Sequence, residues 1–307
     1  MSRVSKWTPE RVDDLKRRWA ANERVTLIAQ HFRTSAGAIY VQVGKLGLPP
    51  RKMKRGRQAV APRVTDRTGQ RRFSGVVSTG PKIILPDHHP AVRKGTPFFP
   101  GMVKPAAAMD LLLKSGEHSR KLGAIVEKGQ WKGFPIVSLT LEERDTCPRT
   151  CTEWATCYGN NMPFATRILD DGTLTRRLWG ELASLNARNP RGYLVRLHVL
   201  GDFYSVDYVE FWRQALIDFP ALHVFGFTAR RAPDPIGIAL LQLVGEQLDR
   251  FMVRFSGGSV GAMCSEVVDT PDQASGIVCP AESDPDRCCS NCALCFNSIH
   301  NITFIRH

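Results

Sequence analysis

Nine cysteines fall so unevenly along this 307-residue chain that they restrict its fold more than any other feature. Three stand in Cys147-x3-Cys151-x5-Cys157, and five in Cys279-Pro280 followed by Cys288-Cys289-x2-Cys292-x2-Cys295. The fold must present two separate sets of thiols, each gathered on short loops. An odd number of cysteines and an N-terminus without an apolar export core argue against a disulfide framework. In a cytoplasmic chain such groups bind metal. The remaining Cys264 reads as an ordinary buried thiol.

The first group offers three thiolates on one loop, one fewer than a closed structural site needs. An iron–sulfur cluster held this way would keep one iron open to substrate or cofactor. The alternatives are zinc completed by a distant residue, or reduced buried cysteines without metal. In the second group, Cys289, Cys292 and Cys295 have the C-x2-C-x2-C spacing of a ferredoxin-type run, and Cys279-Pro280 matches its closing Cys-Pro. The ligands expected are Cys279, Cys289, Cys292 and Cys295, with Cys288 as the substitute for Cys289. Four thiolates also describe structural zinc. The cofactor expectation is one or two 4Fe-4S clusters, with zinc as the other metal.

Charge divides the chain differently. Residues 1–72 contain 18 Lys and Arg against 5 Asp and Glu, so the whole net charge of +13 lies there. A basic arm on a neutral body suits nucleic acid, because each neutralised phosphate releases counterions. No run of eighteen apolar residues occurs, so no membrane span is expected. The expected location is the cytoplasm, at the nucleoid.

Residues 7–48 read as three short helices. Thr8 and Pro9 open the first, with Val12, Leu15 and Trp19 at helical spacing. Thr26 is the expected cap of the second, carrying Leu27, Ile28 and Phe32. Ser35 caps the third, with Ile39, Val43 and Leu46 inward and Gly47 ending it. Two helices on a tight turn make a helix-turn-helix, whose later helix enters the major groove. Thr34, Ser35, Tyr40, Gln42 and Lys45 are the polar, non-core positions of the third helix and its entry turn, and one or two of them are expected to read base edges. Arg51, Lys52, Lys54 and Arg55 would hold phosphates. Residues 49–75, with nine basic residues and one acid, read as a linker. The expected domains are 1–50, 51–75 and 76–307.

Residues 6–51 resemble the N-terminal domain of GcrA-type cell-cycle regulators. The resemblance rests on Trp7-Thr8-x-Glu10-Arg11-Val12, Leu15-Lys16-x-x-Trp19, Ile28-Ala29, Ala38 and Lys45-x-Gly47-Leu48 followed by Arg51. Gly37-Ala38 stands where that family carries Asn-Ala. The resemblance implies DNA binding.

Beyond residue 134, apolar strands alternate with helices. The expected strands are Phe134–Leu141, Tyr193–Leu200, Leu222–Thr228 and Phe251–Phe255. The expected helices carry Leu174, Leu178, Leu182 and Leu185, then span Val206–Asp218, with Phe211 and Trp212 inward, and Pro235–Asp249. Another helix is expected near 105–115. This alternation gives parallel βαβ units, hence an α/β fold and a partial or complete (β/α) barrel. Arg196 and His198 share strand parity, so both are expected on one inward face beside Asp202, as catalytic residues. Thr228, Arg230 and Arg254 are secondary candidates, and the pair His88-His89 and the terminal His307 are noted without a role.

From about residue 96 to the end the chain resembles the phage "gene product 88" domain family. The matching segments are Leu139-Thr140-Leu141-Glu142-Glu143-Arg144, Thr146-Cys147-Pro148, Cys157-Tyr158-Gly159-Asn160, Val195–Phe203, Arg254-Phe255-Ser256, Cys279-Pro280, Cys292-Ala293-Leu294-Cys295-Phe296 and Ile302-x-Phe304-Ile305-Arg306-His307. This resemblance implies a domain without implying a reaction. In arrangement the chain is also similar to radical S-adenosylmethionine enzymes, where a three-cysteine loop follows the first barrel strand and a Gly-Gly-Glu segment ends the second. Here Gly201-Asp202 ends the second strand, and the loop reads C-x3-C-x5-C where those enzymes carry C-x3-C-x2-C. The similarity implies S-adenosylmethionine as a cofactor, with Gly201, Asp202 and Tyr158 against it. The functional expectation is a DNA-binding iron–sulfur enzyme acting on nucleic acid or a nucleotide. A redox-sensing or structural metal regulator without catalysis is the alternative.

Overall fold

A computed structural model describes residues 7–21, 23, 25–49, 64–65, 71–72, 83–119, 121–258, 263–284 and 286–306. The chain divides into two compact units, Met1–Val60 and Ala61–His307.

The first unit is a three-helix bundle of α1 (Pro9–Ala20), α2 (Val25–His31) and α3 (Ala36–Lys45). The Thr8 hydroxyl accepts from the Arg11 amide at the start of α1, and the Ser35 hydroxyl accepts from the Ala38 amide (3.2 Å) at the start of α3. Leu15, Trp19, Ile28, Phe32, Ile39 and Val43 form a closed core. Gly47 ends the bundle with a positive φ of 60°, which a Cβ would strain. The expectation that Thr26 caps α2 is corrected, because Thr26 lies inside the helix and Leu27 points to solvent. Asp14 ties α1 to α2 by accepting from Arg17 (2.6 Å), Arg18 (3.2 Å) and His31 (2.8 Å). The Arg17 hydrogen bond is the largest reason that its carboxyl pKa falls to about 2.

The second unit opens with a small antiparallel ribbon, β1 (Val64–Thr65) and β2 (Arg71–Arg72), and a short helix α4 (Pro90–Lys94) capped by His89. Strand β3 (Val103–Pro105) pairs in parallel with β6 (Arg167–Leu169). Among the described residues the main sheet has eight strands. In chain order they are β4 (Lys114–Ser115), β5 (Ile136–Ser138), β7 (Tyr193–Leu197), β8 (Leu222–Thr228), β9 (Phe251–Ser256), β10 (Cys264–Val268), β11 (Ile277–Val278) and β12 (Ile302–Ile305). Their spatial order is β11-β12-β10-β9-β8-β7-β5-β4, parallel throughout except for β4 against β5. The fold is therefore α/β. The sheet is open, with β11 and β4 at its edges.

Helices α5 (Leu174–Arg188), α6 (Val206–Asp218) and α7 (Pro235–Glu246) form the crossovers between β6 and β9. They bury Leu174, Leu178, Leu182, Trp212, Leu216, Leu240 and Leu243 against the sheet. The other sheet face carries Arg196, Phe225, Phe227 and Arg254. It is covered by α10 (Leu294–Asn297), which follows α8 (Pro280–Ser283) and α9 (Cys289–Cys292) in the cysteine-rich C-terminal segment. Phe296 of α10 packs on Phe225 (5.0 Å) and stacks on Trp131 (5.5 Å). The helix expected near 105–115 does not form. A single 3-10 turn, Ala106–Ala108, is followed by irregular chain and β4. Side chains of α5 take over the backbone polar groups there. Arg177 donates to the carbonyls of Ala106, Met109 and Asp110, and Glu181 accepts from the amides of Leu112 (2.8 Å) and Leu113 (2.9 Å). Among the described residues no helix is long and apolar enough to cross a membrane.

Candidate metal centre

The loop after β5 carries Cys147, Cys151 and Cys157, and buried charged side chains hold it. Glu143 and Arg167, both sealed from solvent, meet in a two-pronged ion pair (2.9 and 3.1 Å). The same guanidinium donates to the carbonyls of Gly159 (2.9 Å), Met162 (2.8 Å) and Ala165 (2.5 Å). Arg144 donates to the Trp154 carbonyl (3.0 Å) and to the Asn160 side chain (2.6 Å), which in turn donates to Ile83 and Ala155. A loop this irregular leaves many backbone carbonyls unpaired, and these side chains supply the missing donors. Arg306, on the last described residue, donates to Glu153 (2.5 Å) and Thr156 (3.2 Å) within the loop.

All nine cysteines are free thiols. The three on this loop lie within electrostatic reach of one another. Burial pushes the Cys151 thiol up to about 11 and holds Cys147 and Cys157 above the ordinary thiol range. Without a cation they would be neutral; a bound metal is what converts such thiols to thiolates.

Asp202 faces this loop, and after burial it is the largest influence on Cys147. The β7–α6 turn places it there. Gly201 has φ 83°, and a Cβ on it would sit 2.7 Å from both Leu141 Cβ and Thr146 Oγ1. The Asp202 carboxylate accepts three hydrogen bonds within the protein. Oδ1 accepts from the Phe203 amide and the Thr228 hydroxyl, and Oδ2 from the Ala229 amide, each at 2.7 Å. Its own amide donates to Thr146 Oγ1 (3.0 Å), one residue before Cys147. Arg230 adds bonds to the Phe203 carbonyl (2.8 Å) and the Thr146 carbonyl (3.0 Å). Asp202 thus joins the ends of β7 and β8 to the cysteine loop. Burial raises its pKa to about 6 despite these donors.

Arg196 and His198 do not share a face, which corrects the expectation. Strand pairing ends at Leu197, so period-two alternation does not reach residue 198. His198 is buried on the α6 side, between Phe203 and Tyr208, with Nε2 at 3.1 Å from Tyr208 Oη and Nδ1 unpartnered. Burial first, then the charge of Arg196, lowers its pKa to about 3. Arg196 lies on the opposite face over the rings of Phe225 (5.4 Å) and Phe227 (4.7 Å). Tyr158, half exposed, lies under Lys121 (Nζ 5.5 Å from the ring) and within electrostatic reach of Arg196.

The second cysteine group lies on that inner face. Cys289 is within electrostatic reach of Cys295 and Cys279, and Cys295 of Cys292. Burial raises Cys279 to about 12 and holds Cys289 and Cys295 above the ordinary thiol range. Cys288 is occupied differently. Its sulfur contacts Ser290 Oγ (3.1 Å), which donates to Glu127 (3.2 Å). Amides of Cys289 and Ser290 donate to the carbonyls of Lys121 (2.7 Å) and Leu122 (2.9 Å), docking α9 on the strand-preceding loop. Cys264, at the start of β10, is buried and outside both groups. Among the described residues, no three or more His, Cys, Asp and Glu side chains stand close enough to clasp a single ion. In donor chemistry both sets suit a sulfur-ligated centre: the donors are thiols from short stretches of chain, within electrostatic reach of one another, with guanidinium groups beside them.

On the first unit, Tyr40 and Lys45 of α3 are exposed, Thr34 and Gln42 are half-buried, and Ser35 spends its hydroxyl on the cap. Arg51, Lys52, Lys54 and Arg55 lie outside the described residues, as does His307. Glu143 and Asn160, which carry no role in the sequence beyond membership of matching segments, and Arg167, which stands in none, fasten the cysteine loop. The one signal was their polarity beside apolar strands. Comparisons with family models, curated proteins and solved structures return no match.

Proposed function

We propose that this chain is a DNA-binding iron–sulfur protein. Its helix-turn-helix unit binds DNA, and its body holds one 4Fe-4S cluster at the C-terminal cysteines and a second at the three-cysteine loop, as a radical-S-adenosylmethionine-like enzyme acting on nucleic acid or a nucleotide. The observation that carries the reading is two disulfide-free thiol sets, each on short stretches of chain and within electrostatic reach of its own members, the first on a loop built around a buried ion pair. Cys147, Cys151 and Cys157 would hold one cluster, and Cys279, Cys289, Cys292 and Cys295 the other. A cluster with three protein thiolates leaves one iron open and supplies an electron when reduced. Around it the chain's own residues act as positioners. Glu143, Arg144 and Arg167 fix the loop. Asp202 and Arg230 tie it to the ends of β7 and β8. Tyr158 offers an exposed ring for stacking a flat ligand such as adenine.

One observation favours the regulator alternative. Asp202 spends three of its roughly four acceptor positions on donors within the protein, so at most one position, on Oδ2, is left for a cofactor's amino group. In that reading the clusters sense redox state or stabilise the body, and the head binds an operator.

The test is iron, sulfide and zinc analysis of anaerobically purified protein, with S-adenosylmethionine cleavage after reduction. About eight iron and eight sulfide per chain fits two cubane clusters. Cleavage of S-adenosylmethionine supports the enzyme, and its absence with full iron supports the regulator. Zinc without iron refutes the iron–sulfur reading. A gel-shift titration on random duplex DNA, repeated at rising salt, tests the head; no shift refutes DNA binding.

A further inference from the structure

Two guanidinium groups on the inner sheet face have no carboxylate partner. Arg254 is sealed from solvent and spends itself on three carbonyls, Cys295 (3.3 Å) within α10 and Ser298 (2.5 Å) and His300 (2.5 Å) in the loop after it. Arg196 makes one hydrogen bond, to the Leu197 carbonyl (2.6 Å), and otherwise rests on Phe225 and Phe227. Among the described residues neither takes part in a salt bridge, whereas Arg167 and Arg230 each find a carboxylate. Carbonyl dipoles and aromatic faces offset part of the cost of burying a cation. The full charge still calls for an anion nearby. The anionisable side chains within electrostatic reach of Arg196 are Cys289, Cys295 and Tyr158, and those of Arg254 are Cys295 and Cys264. The geometry agrees: Arg254 Nε donates to the Cys295 carbonyl (3.3 Å), and Arg196 rests on Phe225 (5.4 Å), against which Phe296, the residue after Cys295, packs (5.0 Å), so both arginines stand on the patch of sheet that α10 covers.

We propose that Arg196 and Arg254 are the built-in counter-ions of an anionic metal–thiolate centre held by Cys279, Cys289, Cys292 and Cys295, and that their charge sets its reduction potential. This rests on the iron–sulfur reading above. Reduction adds one negative charge to the centre. A cation fixed beside it in a poorly solvated site favours the reduced form, so removing the cation lowers the potential. Arg196 is the residue to test, because its removal costs one backbone hydrogen bond where Arg254 would lose three.

The experiment is a redox titration of the full-length protein, reconstituted with iron and sulfide under anaerobic conditions and followed by electron paramagnetic resonance. Wild type is compared with Arg196→Gln and Arg196→Lys. Arg196→Gln is expected to shift the oxidised-to-reduced ratio at fixed potential about tenfold toward oxidised. For a one-electron couple this is about 59 mV lower. Arg196→Lys keeps the charge and should recover most of the shift. Equal potentials for Gln and wild type, at equal iron content, overturn the proposal. So does a loss shared equally by Gln and Lys, whether of folding or of potential, because shape against Phe225 and Phe227 would then be the role. If the protein carries zinc, the iron–sulfur reading fails separately. The counter-ion claim is then read from zinc release to a chelator. Release from Arg196→Gln about tenfold faster than from Arg196→Lys sustains it, and equal rates refute it.

Discussion

Arg167→Met separates a structural clamp from a decorative ion pair. The substitution keeps the apolar stem but removes five hydrogen bonds, two to Glu143 and three to loop carbonyls. It leaves Glu143 sealed from solvent with only the Phe98 amide (3.3 Å) as donor. Stranding one member of a buried pair costs about 3–5 kcal/mol. That is a large share of the roughly 5–15 kcal/mol that holds a typical domain. For a unit of this size it lowers the melting temperature by about 6–20 °C. The assay is thermal and urea unfolding followed by circular dichroism, at matched metal content. A double-mutant cycle with Glu143→Gln completes it. If the pair is coupled as the geometry says, the double variant is less destabilised than the sum of the two singles by at least about 1 kcal/mol. A single Arg167→Met within about 1 kcal/mol of wild type, or strict additivity, would refute the clamp.

Gly201→Ala meets Leu141 and Thr146 and requires a left-handed backbone. It should cost more than about 1 kcal/mol in unfolding experiments and lower metal content at the three-cysteine loop. His198 is neutral and buried with its pKa lowered to about 3. Its contribution is complete above the unfolded value near 6.5 and is lost as pH falls toward 3. His198→Phe should flatten the acid limb of stability against pH, by up to about 1.4 kcal/mol per pH unit between 6.5 and 3; an unchanged slope refutes the assignment. Ser35→Ala removes the α3 cap and should cost the first unit about 1 kcal/mol, with Ser35→Asn restoring it. DNA affinity that falls equally in both variants would show instead that the hydroxyl touches DNA.

Local rules were legible in the sequence. Apolar periodicity and cap residues located α1, α3, α5 and α6 and strand β8, because each depends on neighbours within a few positions. The same rules failed at Ala106–Ala108, where α5 side chains captured the backbone. They also failed at β10, β11 and β12, which are short strands whose existence depends on partners far along the chain. Strand parity failed at His198, because alternation holds only while the ladder continues.

The sequence by itself determined that thiols gather in two groups, that positive charge collects in the first quarter of the chain, and that the body is α/β. These follow from composition and short spacing alone. Tertiary structure decided the rest. It put Arg196 and His198 on opposite faces, committed the Asp202 carboxylate to three internal donors, and sealed Glu143 against Arg167. It also brought Arg254, more than forty residues away in sequence, onto the Cys295 carbonyl. A buried charge takes its partner from whatever the fold brings within a few ångströms, and that distance is not written in residue spacing.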